Sequence, residues 1–393
     1  MRARCSELVL ASIAGAVLAG LAAAAAPVAS AASVQVPGHR PAWRIVKIFN
    51  KCGIGDSMQS VIALSANDAW ALGRPNWANR PCGADVQHWN GSTWHRVPVP
   101  RNTDMNHGTI RQPLTALSTK NVWIFPALFG QTGQSYYQYN YALHWNGLRW
   151  WRSRFPVELL VKSAAAASWS QVWAFGDFYG KHNNLIPYTA RYDGRSWHRA
   201  RLRVDPAATL GPAHGGVWAF GPTLKTVGRP VNKQVLVLMR WNGRSWQALR
   251  VPRIKAPKAD DSLESAYLAA AGPSNVWVAY QAGDDRGNAP VVVLHRHHRR
   301  WYRVALPKEV TFLGGMSLDG RGGIWLLDGV DPQVWFDYHA HAWTSQAVPW
   351  PRGYNSAIFG MTWIPGTTSA LAVGEADSNT QTRTVGVAYR YTR

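Results

Sequence analysis

The chain is poor in cysteine and in acidic residues, and it lacks the short motifs of several common catalytic sites. Its 393 residues include only 3 cysteines, and 21 Asp and Glu stand against 42 Lys and Arg, which gives a formal net charge of +21. It contains no glycine-rich phosphate loop, no Gly-x-Ser-x-Gly nucleophile elbow and no Cys-x-x-Cys pair, so the chemistry tied to those motifs is not expected. Beyond residue 31, no stretch approaches the ~18 consecutive apolar residues of a membrane-spanning helix.

Residues 1–31 have the pattern of a secretory signal peptide. Arg2 and Arg4 precede an uninterrupted apolar or small stretch, which ends at the small-x-small cleavage site Ala29-Ser30-Ala31. We therefore expect a secreted, extracellular protein with residues 32–39 as a short linker. The alternative is retention of this segment as an N-terminal membrane anchor. Export argues against a nucleic-acid partner despite an isoelectric point near 10.3.

Tryptophan recurs in two alternating slots of a repeat about 50 residues long. The first slot follows elements such as Asn-Asp-Ala and Asn-Val, and it is filled by Trp70, Trp123, Trp173, Trp218, Trp277 and Trp325, with Leu371 in seventh place. The second slot ends an aromatic–Asn/Asp–Gly–x–x–Trp hairpin, found at Trp89–Trp94, Trp145–Trp150, Tyr192–Trp197 and Trp241–Trp246, with degenerate copies ending at Trp301 and Trp343. A period of this size built from short strands predicts an all-β propeller, with one four-stranded antiparallel blade per repeat.

The two ends of the chain predict a ring of seven blades that closes on itself. The last copy stops after Val387–Tyr391, which matches the third strand of a blade, and Pro41–Val46 reads as a spare fourth strand. Pairing these two strands would remove exposed sheet edges. We expect residues 40–393 to form a single propeller domain, with six or eight blades as alternatives because Leu371 replaces Trp in the seventh copy.

The repeated indoles are interpreted as packing between adjacent blades. Each such ring buries ~150–250 Å², which makes the two series the main cohesive element of the fold. The alternative interpretation is a ring of sugar-stacking platforms.

Cys52 and Cys82 are expected to form a disulfide. Two cysteines in an exported protein favour a bridge. Cys52 precedes the first strand of blade 1 and Cys82 lies between its second and third strands, so both loops emerge on one face of the ring. A bridge enclosing about 30 residues would contribute roughly 3 kcal/mol. The alternative is a pair of unlinked thiols.

The Asn/Asp-Gly-x-x-Trp turn, seen best at Asp193–Trp197, resembles the Asp-box or BNR repeat of sialidase-like propellers. The Asp/Asn-Val-Trp-Ala-x-Gly element is similar to the repeats of kelch and tectonin-type lectin propellers. The resemblance covers nearly all of residues 40–393 in architecture and implies a fold, because the box is structural in that family. Most copies depart from it, with Asn90, Asn146 and Asn242 in place of Asp. The arginine cluster and Tyr–Glu pair of a sialidase cannot be matched to residues of this chain.

Candidate ligand-binding residues lie in the loops that lead into each blade and in those between second and third strands. These loops are long and differ between blades, which is where functional variation concentrates. The candidates are Trp77, Tyr136, Tyr137, Tyr139, Tyr179, Lys181, His182, Lys225, Arg229, Lys233, Lys255 and Lys258. Aromatic rings stack on sugars, and cations pair with carboxylate or phosphate. The alternative is that these loop tips are merely solvated.

No metal site, cofactor or catalytic residue is predicted. Acidic residues at the rim or in inner strands could supply a catalytic acid and base, but the sequence does not give the distances between them. These residues are Asp56, Glu158, Asp260, Asp261, Glu264, Asp284, Asp285, Asp328, Asp331 and Glu375. His295 and His297 lie on one face of a strand, next to His298, but no third ligand is specified for that pair. An exposed basic corner is therefore preferred to a metal site.

The sequence thus favours an exported, non-enzymatic, monomeric binding propeller. Its expected partner is a cell-envelope or extracellular glycan or another anionic polymer, since the positive charge is spread along every blade. One alternative is a propeller glycosidase or lyase that uses rim carboxylates. Another is a scaffold that docks a second secreted protein. A membrane partner is expected only if the signal segment is retained.

Overall fold

A computed structural model describes residues 41–50, 56–75, 84–100, 103, 114–126, 140–180, 184–210, 216–227, 229, 233–252, 262–283, 290–330, 333–378, 380 and 383–393. Its strands form seven four-stranded antiparallel sheets, and these described ranges contain no α-helix. The chain is a seven-bladed β-propeller, as its repeats predict. The predicted signal peptide, linker and disulfide lie outside the described residues.

The strands follow one another blade by blade along the chain. Blades 1 to 3 contain β2 (Asp56–Ser65), β3 (Asp68–Pro75), β4 (Asp85–Trp89), β5 (Trp94–Arg96); β6 (Leu114–Ser118), β7 (Asn121–Ile124), β8 (Tyr141–Trp145), β9 (Trp150–Arg154); β10 (Leu160–Ser168), β11 (Gln171–Tyr179), β12 (Leu185–Tyr192) and β13 (Trp197–Ala200). Blades 4 to 6 contain β14 (Ala208–Leu210), β15 (Trp218–Pro222), β16 (Leu236–Trp241), β17 (Trp246–Arg250); β18 (Ser262–Gly272), β19 (Asn275–Gly283), β20 (Val291–His297), β21 (Arg300–Val304); β22 (Leu313–Leu318), β23 (Ile324–Asp328), β24 (Val334–His339) and β25 (Ala342–Ala347).

Blade 7 is made from both ends of the chain. It contains β26 (Tyr354–Trp363), β27 (Ala370–Ser378), β28 (Thr384–Thr392) and, as its outer strand, β1 (Ala42–Phe49). β1 pairs antiparallel with β28, with Trp43 opposite Tyr391. The ring therefore closes by pairing its first and last strands, and the seventh blade is complete although its second strand carries Leu371 in the tryptophan slot.

The first-slot tryptophans form the seams between blades. All six are at most 1% exposed, and each packs against the outer part of the following blade. Trp173 of blade 3 lies 4.9 Å from the Trp241 ring and 5.5 Å from the Trp246 ring of blade 4. Seven hydrophobic clusters of this kind join the seven blades. The indoles are packing elements, as the sequence indicates.

The glycine three residues after a first-slot residue is required by a bulge in the neighbouring inner strand. Gly176, Gly221 and Gly374 occupy this place, and a Cβ on any of them would lie 1.9 Å from a backbone carbonyl oxygen. In blade 3 that oxygen belongs to Leu160, just before the register shifts between Val161 and Ser163. Any larger residue would therefore push the bulged strand away.

The Asx-Gly hairpins owe their sequence to a local hydrogen-bond pattern. In blade 4, the Asn242 side-chain oxygen accepts bonds from the amides of Arg244 and Ser245 at 2.9 and 2.8 Å. Gly243 lies at φ +95°, where a side chain is disfavoured. The same pattern is built on Asn90, Asn146 and Asp193 in blades 1 to 3.

A histidine covers the first-slot tryptophan in blades 1, 2 and 5. In blade 2, the His144 ring stacks on Trp123 with centroids 4.0 Å apart, and its Nε2 lies 3.2 Å from Asn121 Oδ1. His295 repeats this on Trp277 in blade 5, with centroids 3.6 Å apart. The Asn or Asp two residues before the tryptophan is therefore the partner of a histidine on the third strand.

Candidate functional site

The channel along the ring axis is narrow and carries no titratable acid. The seven inner strands line a cavity of about 90 Å³, among them Ser60, Ser163, Thr209 and Ser317 with many Ala, Gly and Leu residues. No Asp, Glu, Lys or Arg belongs to its described lining. The described part of the ring axis is therefore lined by small polar and apolar side chains.

Three charged side chains meet between blade 3 and the segment that leads into blade 4, on the face that carries the long loops. Lys162 lies in the bulge of β10, and its Nζ is 2.7 Å from Asp177 Oδ2 and 3.5 Å from Asp205 Oδ2. Asp177 lies on β11 of blade 3, whereas Asp205 lies in the segment that leads into blade 4. The side chains of Asp177 and Asp205 are 4% and 15% exposed, and that of Lys162 is 35% exposed. The cluster thus ties two neighbouring blades together.

Burial and charge act in opposite directions on this cluster. Burial alone would lower the pKa of Lys162, but the carboxylates of Asp205 and Asp177 outweigh it and raise that pKa above its usual value. Burial raises the pKa of Asp205, and the Lys162 ammonium pulls it part of the way back. One cation therefore serves two carboxylates, an arrangement that suits a structural tie and that could also hold a proton.

Sequence reasoning did not single out these three residues. Their signal is weak, because Asp177 follows the Trp-Ala-Phe-Gly element and Asp205 lies in a loop with few distinguishing neighbours. Lys162, which pairs with both carboxylates, lies at a strand bulge. The position of a bulge depends on the register between two strands.

Three predicted ligand-binding residues lie in one loop of blade 4. Lys225, Arg229 and Lys233 are all exposed and lie between β15 and β16. Threonine 226 stabilises this loop, because its hydroxyl accepts a bond from the Val235 amide at 3.0 Å. The Gln234 side chain also donates to the Arg229 carbonyl at 2.6 Å.

Arg203 extends this group to the adjoining segment. The Leu224 amide donates to the Arg203 carbonyl at 3.0 Å, which places Arg203 beside Lys225. We call Arg203, Lys225, Arg229 and Lys233 the cationic loop. None of the four forms an ion pair with another described residue.

Most other predicted contacts lie outside the described residues. These are Trp77, Tyr136, Tyr137, Tyr139, Lys181, His182, Lys255 and Lys258, together with Cys52 and Cys82. Tyr179 ends β11 with its backbone opposite Leu185, and its side chain is not described. Whether the predicted aromatic residues lie close together therefore stays a prediction.

Two of the acidic candidates, Glu158 and Asp328, lie at blades 3 and 6. Glu158 is exposed, whereas Asp328 is buried and accepts a bond from the Phe312 amide at 2.8 Å. Among the described residues, no three His, Cys, Asp or Glu side chains come together in a metal-binding arrangement. No helix long and apolar enough to cross a membrane occurs among the described residues.

Comparisons with known proteins identify the architecture. No family model matches the chain, and no curated protein matches it. A solved structure described as YCF48 bound to D1 peptide aligns with a TM-score of 0.53 at 11% identity, covering 91% of this chain and 98% of that chain. A puromycin-hydrolyzing peptidase of Mycobacterium tuberculosis aligns with a TM-score of 0.51 at 14% identity, covering 83% of this chain and 52% of that one. At these identities the likeness shows the fold alone, and the Asp-box, kelch and tectonin resemblances are not narrowed to one family.

Proposed function

We propose that this protein is an exported, non-enzymatic propeller that binds an anionic polymer through its long-loop face, with a cell-envelope glycan as the preferred ligand. The observation that carries the proposal is the cationic loop. Its four side chains are exposed and have no anionic partner among the described residues. Cations of this kind pair with carboxylate or phosphate groups of a polymer.

The described backbone on either side of the loop supports binding because hydrogen bonds hold it in place. Hydrogen bonds from Thr226 and Gln234 fix its two ends, and the bond between Leu224 and Arg203 joins it to the next segment. A pre-organised loop loses less conformational entropy when a ligand docks. Side chains on such a loop can therefore contribute to affinity at little ordering cost.

Binding to an immobilised polyanion tests the proposal. The mature chain is applied to polygalacturonate, and the salt concentration at elution is compared between the wild type and a Lys225→Ala/Arg229→Ala/Lys233→Ala variant. We expect the variant to elute at clearly lower salt and to bind at least about tenfold more weakly at low salt.

A charge-matched control separates a site from general electrostatics. The variant Arg44→Ala/Lys47→Ala/Arg393→Ala, here called the blade 7 control, removes three exposed cations from blade 7 away from the long-loop face. It should retain most of the binding. Equal losses in the two variants would refute a binding site at the cationic loop.

A second candidate function is hydrolysis at this charged cluster. A buried carboxylate (Asp177) and a partly buried one (Asp205) beside one ammonium favour it, because Asp205 has a raised pKa and Asp177 lies 2.7 Å from the same lysine nitrogen. Release of reducing ends from a polysaccharide, abolished by Asp205→Asn, would support this candidate over the binding proposal. Absence of any release with retained polyanion binding would reject it.

A third candidate is a docking scaffold for another protein. One structural neighbour is described as bound to a peptide, which makes a protein ligand a reasonable alternative for this fold. A stoichiometric protein recovered with the wild type, and with no polyanion binding by the same preparation, would favour the scaffold.

A further inference from the structure

A second concentration of positive charge lies on the opposite face, at the hairpins of blades 4 and 5. A recess of about 740 Å³ is lined there by Arg240 from blade 4 and by Arg296, His297, His298, Arg299 and Arg300 from blade 5. We call these six residues the basic recess. Pro273, Ser274 and Tyr302 complete its lining, so no acidic side chain contributes to it.

The recess exists because the blade 5 hairpin departs from the repeat. Blade 4 has Trp241-Asn242-Gly243-Arg244-Ser245-Trp246, and blade 5 has Arg296-His297-His298-Arg299-Arg300-Trp301 in the same register. Four of the first five positions differ, and each of these changes introduces an arginine or a histidine in place of an uncharged residue, while the fourth position is arginine in both hairpins. The last indole is kept.

Arg296 keeps the structural role of the aromatic residue that it replaces. In blades 1 and 2, the indole N–H of Trp89 and Trp145 donates to a backbone carbonyl of the turn between the first and second strands, at 3.0 and 3.1 Å. In blade 5, Arg296 Nη1 donates to the equivalent carbonyl of Pro273 at 2.9 Å. One N–H thus replaces the indole bond, and the guanidinium adds a charge that the fold itself does not require.

His298 makes the same hairpin less favourable as a turn. It lies at φ +53°, in the place where blades 1 to 4 have glycine. A non-glycine residue in this conformation costs of order 1 kcal/mol. The Asx acceptor of the turn amides is also missing, because His297 takes that position. The substitutions therefore reduce the local stability of the turn and increase its charge.

The arginines of the recess repel one another, and two of them, Arg240 and Arg296, are only partly exposed to solvent. Burial, together with the neighbouring Arg299 and Arg240, lowers the pKa of Arg296. Arg240 Nε is buried and has no hydrogen-bond partner among the described residues, while its guanidinium lies 5.5 Å from the centre of the Trp218 ring. No described carboxylate pairs with any of the six residues.

We propose that the basic recess is a binding site for a ligand that carries two or more phosphate groups. Arginine guanidinium groups present paired N–H donors that match the oxygens of phosphate. A concave site lined by several of them, with two histidines as further donors, favours a multivalent anion over a single carboxylate. This site is separate from the cationic loop, since it lies on the other face and involves other residues.

Calorimetric titration of the full chain with pyrophosphate tests the proposal. The decisive variant is Arg296→Trp/His297→Asn/His298→Gly, which restores the hairpin that blades 1 and 4 already use and so should fold. We expect pyrophosphate affinity to fall about tenfold or more, as the loss of even one charge-assisted hydrogen bond implies. Arg240→His, which introduces the residue found at this slot in blades 1, 2 and 5, should weaken binding in the same direction.

Two controls decide whether the recess is responsible. The blade 7 control and the Lys225→Ala/Arg229→Ala/Lys233→Ala variant should bind pyrophosphate within about twofold of the wild type, as expected for distant sites. If the restored hairpin binds as well as the wild type, or if the blade 7 control loses as much, the proposal is wrong. Because the cationic-loop variant is tested in parallel, failure of one site does not imply failure of the other.

The phosphate groups could belong to a soluble ligand or to a lipid headgroup. Co-sedimentation with phosphatidylcholine vesicles, with and without a phosphatidylinositol bisphosphate component, distinguishes the two. Binding to the phosphorylated vesicles that disappears in the restored hairpin would identify a headgroup. Pyrophosphate binding without vesicle binding would identify a soluble phosphate ligand, and absence of both would overturn the proposal.

Discussion

The hairpins of blades 4 and 5 occupy the same place in the repeat but follow different rules. In blade 4, Asn242 accepts two turn amides and Gly243 takes the left-handed conformation. In blade 5, His298 adopts that conformation without glycine, and Arg296 makes with one N–H the bond that an indole makes in blades 1 and 2. Where the repeat is kept, its residues are explained by the fold. Where it is abandoned at a cost in local stability, another role is indicated.

Tryptophans at the seams differ from tryptophans at the surface in their exposure. Trp173 fills a seam and is 1% exposed, whereas Trp151 lies on an outer strand and is 45% exposed. Both are tryptophans of neighbouring blades, so composition alone does not distinguish them.

The largest effect is expected from Trp173→Ala. Truncation removes a buried indole from the seam between blades 3 and 4 and should cost about 3–5 kcal/mol of unfolding free energy, measured by denaturant titration. Trp151→Ala is the matched control and should cost less than about 1 kcal/mol. Similar losses at the two positions would show that the seams do not dominate the stability of the ring.

Acidification should act on blades 2 and 5, where His144 and His295 cover the seam tryptophan. Burial lowers the pKa of His144 to about 4, and burial with the charges of His297 and His341 lowers that of His295 to about 4. The unfolded chain takes up these protons near pH 6.5 but the folded chain does not, so stability is lost as the pH falls from about 6.5 to about 4. Because both rings are only partly buried, solvent screening should reduce the loss to about 1–2 kcal/mol for each histidine.

Unfolding midpoints at pH 7 and pH 4.5 measure this effect. The variant His144→Phe/His295→Phe keeps a flat ring over each tryptophan and cannot titrate there, so its stability should fall less between the two pH values. Blades 3 and 4 have Arg191 and Arg240 in the same slot, in place of histidine. Parallel pH profiles for the wild type and the variant would contradict the assignment.

The ring could be predicted from the sequence because its determinants are local and repeated. The spacing of the first-slot tryptophans gives the blades, and the resemblance of Pro41–Val46 to an outer strand gives the closure that Trp43 and Tyr391 confirm. Six or eight blades were alternatives because Leu371 interrupts the series of first-slot tryptophans. In the structure, Leu371 is 4% exposed and fills the same seam position.

The sites could not be predicted in the same way, because they join residues from different blades. Lys162 reaches Asp205 of the next blade from a bulge whose register no local pattern shows. The run from Arg296 to Arg300 is visible as a basic corner, but its concavity depends on Arg240 of the preceding blade. Contacts across a seam require the packing of two sheets.

A moderate effect is expected when the Asx acceptor of a regular hairpin is removed. Asn242→Ala leaves the amides of Arg244 and Ser245 without their acceptor, and the unfolding free energy should fall by about 1 kcal/mol. His297→Ala at the equivalent position of blade 5 removes no such acceptor and should change stability by less than about 0.5 kcal/mol. Equal losses would mean that the two turns are stabilised alike.

The smallest effect should have the opposite sign. His298→Gly places glycine where φ is +53° and should raise the unfolding free energy by about 0.5–1 kcal/mol, while Gly243→His at φ +95° in blade 4 should lower it by at least as much. Denaturant titration of both variants, with the pyrophosphate titration repeated on His298→Gly, links stability to binding. A more stable protein with weaker pyrophosphate binding would show that the strained turn is kept for its ligand. If His298→Gly brings no gain in stability, the turn is not strained and its departure from the repeat has no energetic cost to explain.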